Sequence, residues 1–202
     1  MKNLITLIAV ILFVSSATLL NAQETIIPLK DGDLSNIPLT GDIYHKDTTN
    51  TFDKFMEIWV FDDGTNYFKV TFSKKERIRY GNMRIYSDQL VCEYLFKVNG
   101  TTIYDTYGIN SNINNRGANH ILGDNIINEN EIKLSYSEPP VNSCDKYADG
   151  KLTLNYISGS TPTLQWVRVN NELYGDNSKC PDGSSMDLTD FVIPANMTLI
   201  KQ

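Results

Sequence analysis

Apolar side chains recur at every second position along much of this chain, and polar turns interrupt them at short intervals. From Lys54 to Lys74 the run KFMEIWVFDDGTNYFKVTFSK reads as two strands folded on a turn. Val60 and Phe61 close the first strand, Asp62-Asp63-Gly64-Thr65-Asn66 supplies the turn, and Tyr67 to Phe72 returns. Aspartate, asparagine and glycine accept positive φ, while β-branched and aromatic residues suit the flanks. Lys74 to Gly81 is charged and predicts another turn, and Met83 to Tyr86 fits a short strand or a single helical turn. Gln89 to Val98 is a strand. Asn99-Gly100 then marks a hairpin, with Thr101 to Tyr107 as its return.

Between Gly108 and Asn130 the pattern changes. Eight asparagines mark a loop-rich region, with a strand fragment or turn expected near His120 to Leu122 because long structureless connections are unusual in a compact domain. Alternation resumes at Glu131 to Ser137, Lys151 to Ile157 and Thr163 to Val169, and Pro139-Pro140 stops the first of these. Phe191 to Ile200 closes the chain, with Pro194 confining that part to an edge or bend. No helical run exceeds two turns. The fold class is therefore all-β: about eight strands joined mostly by tight turns, in an antiparallel up-and-down meander. An open sheet of that size leaves two exposed edges, so closure into a barrel or a curled sandwich is expected.

The first residues stand apart from this pattern. Lys2, the apolar stretch Leu4 to Leu20 and Leu20-Asn21-Ala22 form a signal peptide pattern, with cleavage expected between Ala22 and Gln23. The chain then divides into a signal peptide (1–22), an extended N-terminal arm (23–53, with a short strand at Glu24 to Leu29) and a β-barrel domain (54–202). The expected destination is bacterial export, secreted or periplasmic. Losing Lys2 takes the basic count from 18 to 17 against 24 acids, a net charge of −7. That balance argues against a nucleic-acid or anionic-membrane partner, and no membrane span is expected after cleavage.

Three cysteines in an exported chain can form a disulfide. The economical pairing is Cys144 with Cys180, both in loops, leaving Cys92 as a small buried hydrophobe in a strand. No metal site is expected, since His45 and His120 lack ligand spacing to a cysteine. GxSxG, HExxH, CxxC and phosphate-binding glycine loops are all missing, so neither a cofactor nor a catalytic set is expected. The acid pairs Asp62-Asp63 and Glu129 with Glu131 fall in turns, where acids serve turn chemistry. Aromatic residues recur along the strands: Tyr67, Phe68, Phe72, Tyr94, Phe96, Tyr104, Tyr107, Tyr136, Tyr156 and Trp166. They either fill the core or line a cavity for one small apolar ligand. Trp59 and Trp166 are expected as core plugs.

The run Phe55-Met56-Glu57-Ile58-Trp59, its turn and Tyr67 to Phe72 resemble the Gly-x-Trp strand and following hairpin of lipocalin-like proteins, with Glu57 standing at the glycine position. With Thr163-Leu164-Gln165-Trp166 and the last strand Ile193 to Gln202, the chain more closely resembles a family of small secreted bacterial proteins, a domain of unknown function. That resemblance implies a lipocalin-like barrel and no catalytic residue. The expected function is a non-catalytic binding module for a small apolar ligand or an envelope partner. The alternatives are a polysaccharide-acting hydrolase, which needs two carboxylates facing across a groove, and a structural module of the envelope.

Overall fold

A computed structural model describes residues 24–31, 41–108, 121–138, 147–174 and 192–202. Among these the strands are β1 Thr25–Pro28, β2 Ile43–Lys46, β3 Ile58–Asp62, β4 Asn66–Arg79, β5 Ile85–Val98, β6 Thr101–Asp105, β7 Ile121–Asn128, β8 Glu131–Glu138, β9 Tyr147–Ile157, β10 Thr163–Tyr174 and β11 Asn196–Lys201. Short 3-10 turns occupy Leu29–Asp31 and Thr51–Lys54. Strands β3, β4, β5, β7, β8, β9, β10 and β11 close into one antiparallel barrel. Chain neighbours are barrel neighbours, except that β6 folds back on β5 and β7 completes the ring. The all-β meander and the eight-stranded closed barrel are as the alternation predicts.

β5 organises one side of the molecule. Along one edge it pairs with β4 throughout; along the other it takes three partners in succession. Ile85–Ser87 pair in parallel with Ile43–His45 of β2, Leu90 and Val91 pair with Gly123 and Leu122 of β7, and Leu95–Val98 pair with β6. β1 adds to β2, again in parallel. The N-terminal arm thus extends the sheet with two strands, of which the sequence showed only the first. β5 also begins at Ile85 and not Gln89, because its first residues hold β2.

Both closing seams are short. β5 and β7 share two residue pairs, as do β3 and β11 at Val60–Ile200 and Trp59–Lys201. Beside the first seam, Gly123 permits a close approach of β7 to β8 on its other side: a Cβ there would lie 3.1 Å from the Leu134 Cα and 3.2 Å from the Lys133 carbonyl oxygen. At the other seam Glu57 is half-exposed and meets the Lys201 ammonium at 2.5 Å. It therefore ties the closure from outside and does not enter the core.

The charged stretch Lys74–Arg79 is not a turn but the end of β4, which bulges between Lys75 and Ile78 with Arg77 at φ 55°. The Asn99-Gly100 hairpin forms as predicted, both residues at positive φ. The asparagine-rich region yields a full eight-residue strand, β7, instead of a fragment. Two register shifts interrupt its pairing with β8, which accounts for the missing period-two signal.

Inward positions alternate as a half-buried strand requires. Trp59, Phe68, Val70, Leu90, Tyr94, Phe96, Ile132, Leu152, Leu154, Leu164, Trp166 and Leu199 are fully buried. Rings from distant strands meet across the interior: Phe68 lies edge-on to Trp166 with centroids 5.1 Å apart, and Trp166 lies edge-on to Tyr136 at 5.9 Å. Phe55 and Trp59 pack against Tyr156 near the opposite end.

Candidate functional site

Polar chemistry gathers in three places, two of them buried. Inside the barrel, Glu138 from β8 and Arg168 from β10 form an ion pair at 2.7 Å, their side chains only 1% and 3% exposed. Glu138 is saturated with donors. The Tyr136 hydroxyl donates to Oε2 at 2.7 Å, and the Val192 and Ile193 backbone N–H groups donate to Oε1 at 2.7 and 3.2 Å. Arg168 also stands over the Tyr136 ring, 4.9 Å from its centroid. Burial pushes the Tyr136 and Tyr104 hydroxyls up, with Glu138 adding to both, so neither ionises near neutral pH. A charge pair this well satisfied fastens the 192–193 segment over one end of the barrel.

The second cluster lies where β2 joins β5. Asp88 is fully buried and accepts hydrogen bonds from the Tyr44 hydroxyl and from the backbone N–H groups of Asp47 and Arg77. Asp47 in turn accepts from the N–H groups of Thr51 and Phe52, at 2.8 and 2.9 Å, at the start of the 3-10 turn. Alongside, the Ser87 and Tyr80 hydroxyls both donate to Asp124 Oδ2. Burial, then Asp124, pushes Tyr80 up to about 12. His45 pairs with Ser87 across β2 and β5; burial lowers its pKa, while Asp124 pulls the other way. Serine, histidine and aspartate come together, but the serine is buried and its hydroxyl faces the carboxylate. The cluster anchors the N-terminal strands.

The third place is open to solvent. On the outer wall, at the rim carrying the β3–β4 and β5–β6 turns, Asp62, Gly64, Thr65, Tyr67, Lys69, Leu95, Lys97 and Gly100 line a groove of about 410 Å³. Register places its side chains in two rows. Asp62, Tyr67 and Lys97 lie side by side on β3, β4 and β5; Val60, Lys69 and Leu95 form the next row. Asp62 and Asp63 serve the turn as the sequence suggested: Gly64 N–H donates to Asp62, and Thr65 and Asn66 N–H donate to Asp63. Tyr67 and Tyr107 turn outward, whereas Phe68, Phe72, Tyr94, Phe96, Tyr104, Tyr136 and Trp166 are buried and Tyr156 packs against the core. Alternating parity could have sorted them, since Tyr67 and Phe68 are adjacent.

Trp59 and Trp166 both lie fully buried in the core. The Trp59 indole N–H donates to the Phe55 carbonyl at 3.0 Å, while that of Trp166 meets no acceptor among the described residues. Cys92 is a free thiol in β5, packed against the core. Cys144, Cys180, His120 and the 1–22 segment lie outside the described residues. Among the described residues no group of three or more histidine, cysteine, aspartate or glutamate side chains is placed to hold a metal, and no helix is long and apolar enough to cross a membrane.

The model of DUF6705, a family of unknown function, matches residues 1–202. The chain belongs to this family. No curated protein and no solved structure matches it. Among the described residues, the groove on the outer wall brings charged, aromatic and apolar side chains together at the surface.

Proposed function

We propose that this DUF6705 chain is an exported, non-catalytic binding module that meets its partner on the outer wall of the barrel. The observation that carries this reading is the contrast between inside and outside. Aromatic rings from β4, β8 and β10 meet across the interior, and the Glu138 and Arg168 charges there are taken up by each other and by Tyr136. On the wall, an open groove combines two lysines, a tyrosine, a leucine and an aspartate. Its volume lies within the roughly 300–1,000 Å³ typical of small-molecule sites. Asp62 and Asp63 each accept turn hydrogen bonds and of the two only Asp62 lines the groove, which favours binding over the two-carboxylate hydrolase. Export rests on the Lys2 to Ala22 segment, whose composition is that of a signal peptide.

Native mass spectrometry of the protein isolated from its own compartment tests the reading. The expected spectrum shows a chain beginning at Gln23 with a non-covalent adduct released on mild activation. A bare 202-residue chain recovered from the cytosol would overturn it.

A further inference from the structure

Lys69 and Lys97 are the two cations that line the open groove. Several other basic groups have an acid or an amide to meet: Lys74 lies by Asp53 and Glu76, Arg77 by Glu24, Lys201 by Glu57, and Lys54 by Asn130, while Lys75, Lys133 and Lys151 show no such partner among the described residues. Lys69 and Lys97 form no ion pair among the described residues, although acids outnumber bases 24 to 18 in the chain. Each is half-buried and rests by a tyrosine, Lys69 at 5.7 Å from the Tyr107 centroid and Lys97 at 6.0 Å from that of Tyr67. Because Tyr67 pairs with Lys97 and Lys69 with Leu95, the two lysines are diagonal neighbours on one face. Diagonal positions on paired strands lie roughly 7–8 Å apart at the backbone, within reach of long side chains, so both ammonium groups can converge on one anion. Two like charges so placed both attract an anion between them, while Glu93, the other diagonal neighbour of Lys69 on β5, and Asp62, beside Tyr67, offset part of that charge.

The remaining lining says what carries the anion. Tyr67 offers an amphipathic ring, Leu95 an apolar floor, Thr65 a hydroxyl, and the Gly64 and Gly100 turns offer backbone groups. Asp62 stands in the same row as Tyr67, with one carboxylate oxygen receiving the Gly64 N–H. A ligand dense in negative charge would be repelled there, whereas a hydroxyl-rich ligand can donate to Asp62. We propose that this groove binds an acidic saccharide, its carboxylate between Lys69 and Lys97 and its sugar ring beside Tyr67. The assignment rests on the binding-module reading and names its site and ligand class.

Isothermal titration calorimetry of the mature chain with trigalacturonate tests it, with maltotriose and triglutamate as the neutral-sugar and acidic-peptide comparisons. Trigalacturonate is expected to bind and to weaken as salt rises. Lys69→Gln and Lys97→Gln should each weaken binding at least tenfold, and Tyr67→Ala should do likewise. Thermal melting of the two lysine variants should be unchanged, because neither lysine forms an ion pair among the described residues, and this separates lost binding from lost folding. Absence of trigalacturonate binding, binding that the lysine variants leave unchanged, or a preference for triglutamate would each overturn the proposal. An adduct seen by native mass spectrometry alongside any of these results would leave the binding-module reading standing and remove only the groove assignment.

Discussion

Trp59 and Trp166 look alike in sequence and in burial, yet their indole nitrogens differ. Trp59 donates to the Phe55 carbonyl; Trp166 has no acceptor among the described residues. Trp59→Phe should therefore cost ~1 kcal/mol more than Trp166→Phe, the net worth of one buried hydrogen bond. Urea titration of the two variants measures that difference directly. His45 gives a second prediction at this scale. Burial lowers its pKa from the ordinary 6.5, so the native state holds the imidazole neutral where the unfolded chain already takes up a proton. Below 6.5 and down to the native value, the unfolded state binds more protons, and stability falls as pH falls through that window. Urea midpoints at pH 7.5 and 6.0 should show the loss, and His45→Gln should reduce it. These residue-scale roles were only partly legible. The buried tryptophans followed from alternation, but His45 reads as a loop residue because its strand is four residues long and pairs in parallel with a distant segment.

Among the elements, β8 and β10 carry the least expected feature, a charge pair on the inward face of the barrel. Glu138 occupies the inward parity of Ile132, Leu134 and Tyr136, and Arg168 that of Leu164 and Trp166. The period-two pattern placed Arg168 with Leu164 and Trp166, whereas Glu138 lay one residue beyond the strand expected at Glu131 to Ser137; a charge on an apolar parity was the available signal. Glu138→Ala strands a buried guanidinium and frees the Val192 and Ile193 N–H groups, so it should destabilise the fold by about 3–5 kcal/mol. Glu138→Leu combined with Arg168→Met removes both charges and should recover most of that loss in thermal melts. Strands β3, β4, β8 and β9 were readable because their inward faces alternate cleanly. β7 was not, because two register shifts interrupt its ladder and leave Asn125, Ile127 and Asn128 all outward, so no period of two survives. β2 carries too few residues to show any period.

For the molecule as a whole, closure depends on two seams of two residue pairs each, together with the rings that meet in the middle. Barrel closure followed from strand count and the problem of open edges. Whether the interior was filled did not, because an inward aromatic has the same pattern against a neighbouring ring as against a ligand. The Phe68–Trp166 contact joins strands on opposite walls, and such pairings of distant strands leave no mark in local sequence. The outward turn of Tyr67 and Tyr107 is the complementary fact, leaving two rings and two lysines on the wall. The central claim is that recognition happens there. Amide and methyl NMR spectra of the mature chain, recorded while trigalacturonate is added, test it most directly. The account predicts shifts confined to residues 62–69 and 95–100, with the inward methyls of Leu90, Leu152 and Leu154 unmoved. Shifts centred on those methyls, with the groove amides unchanged, would contradict it.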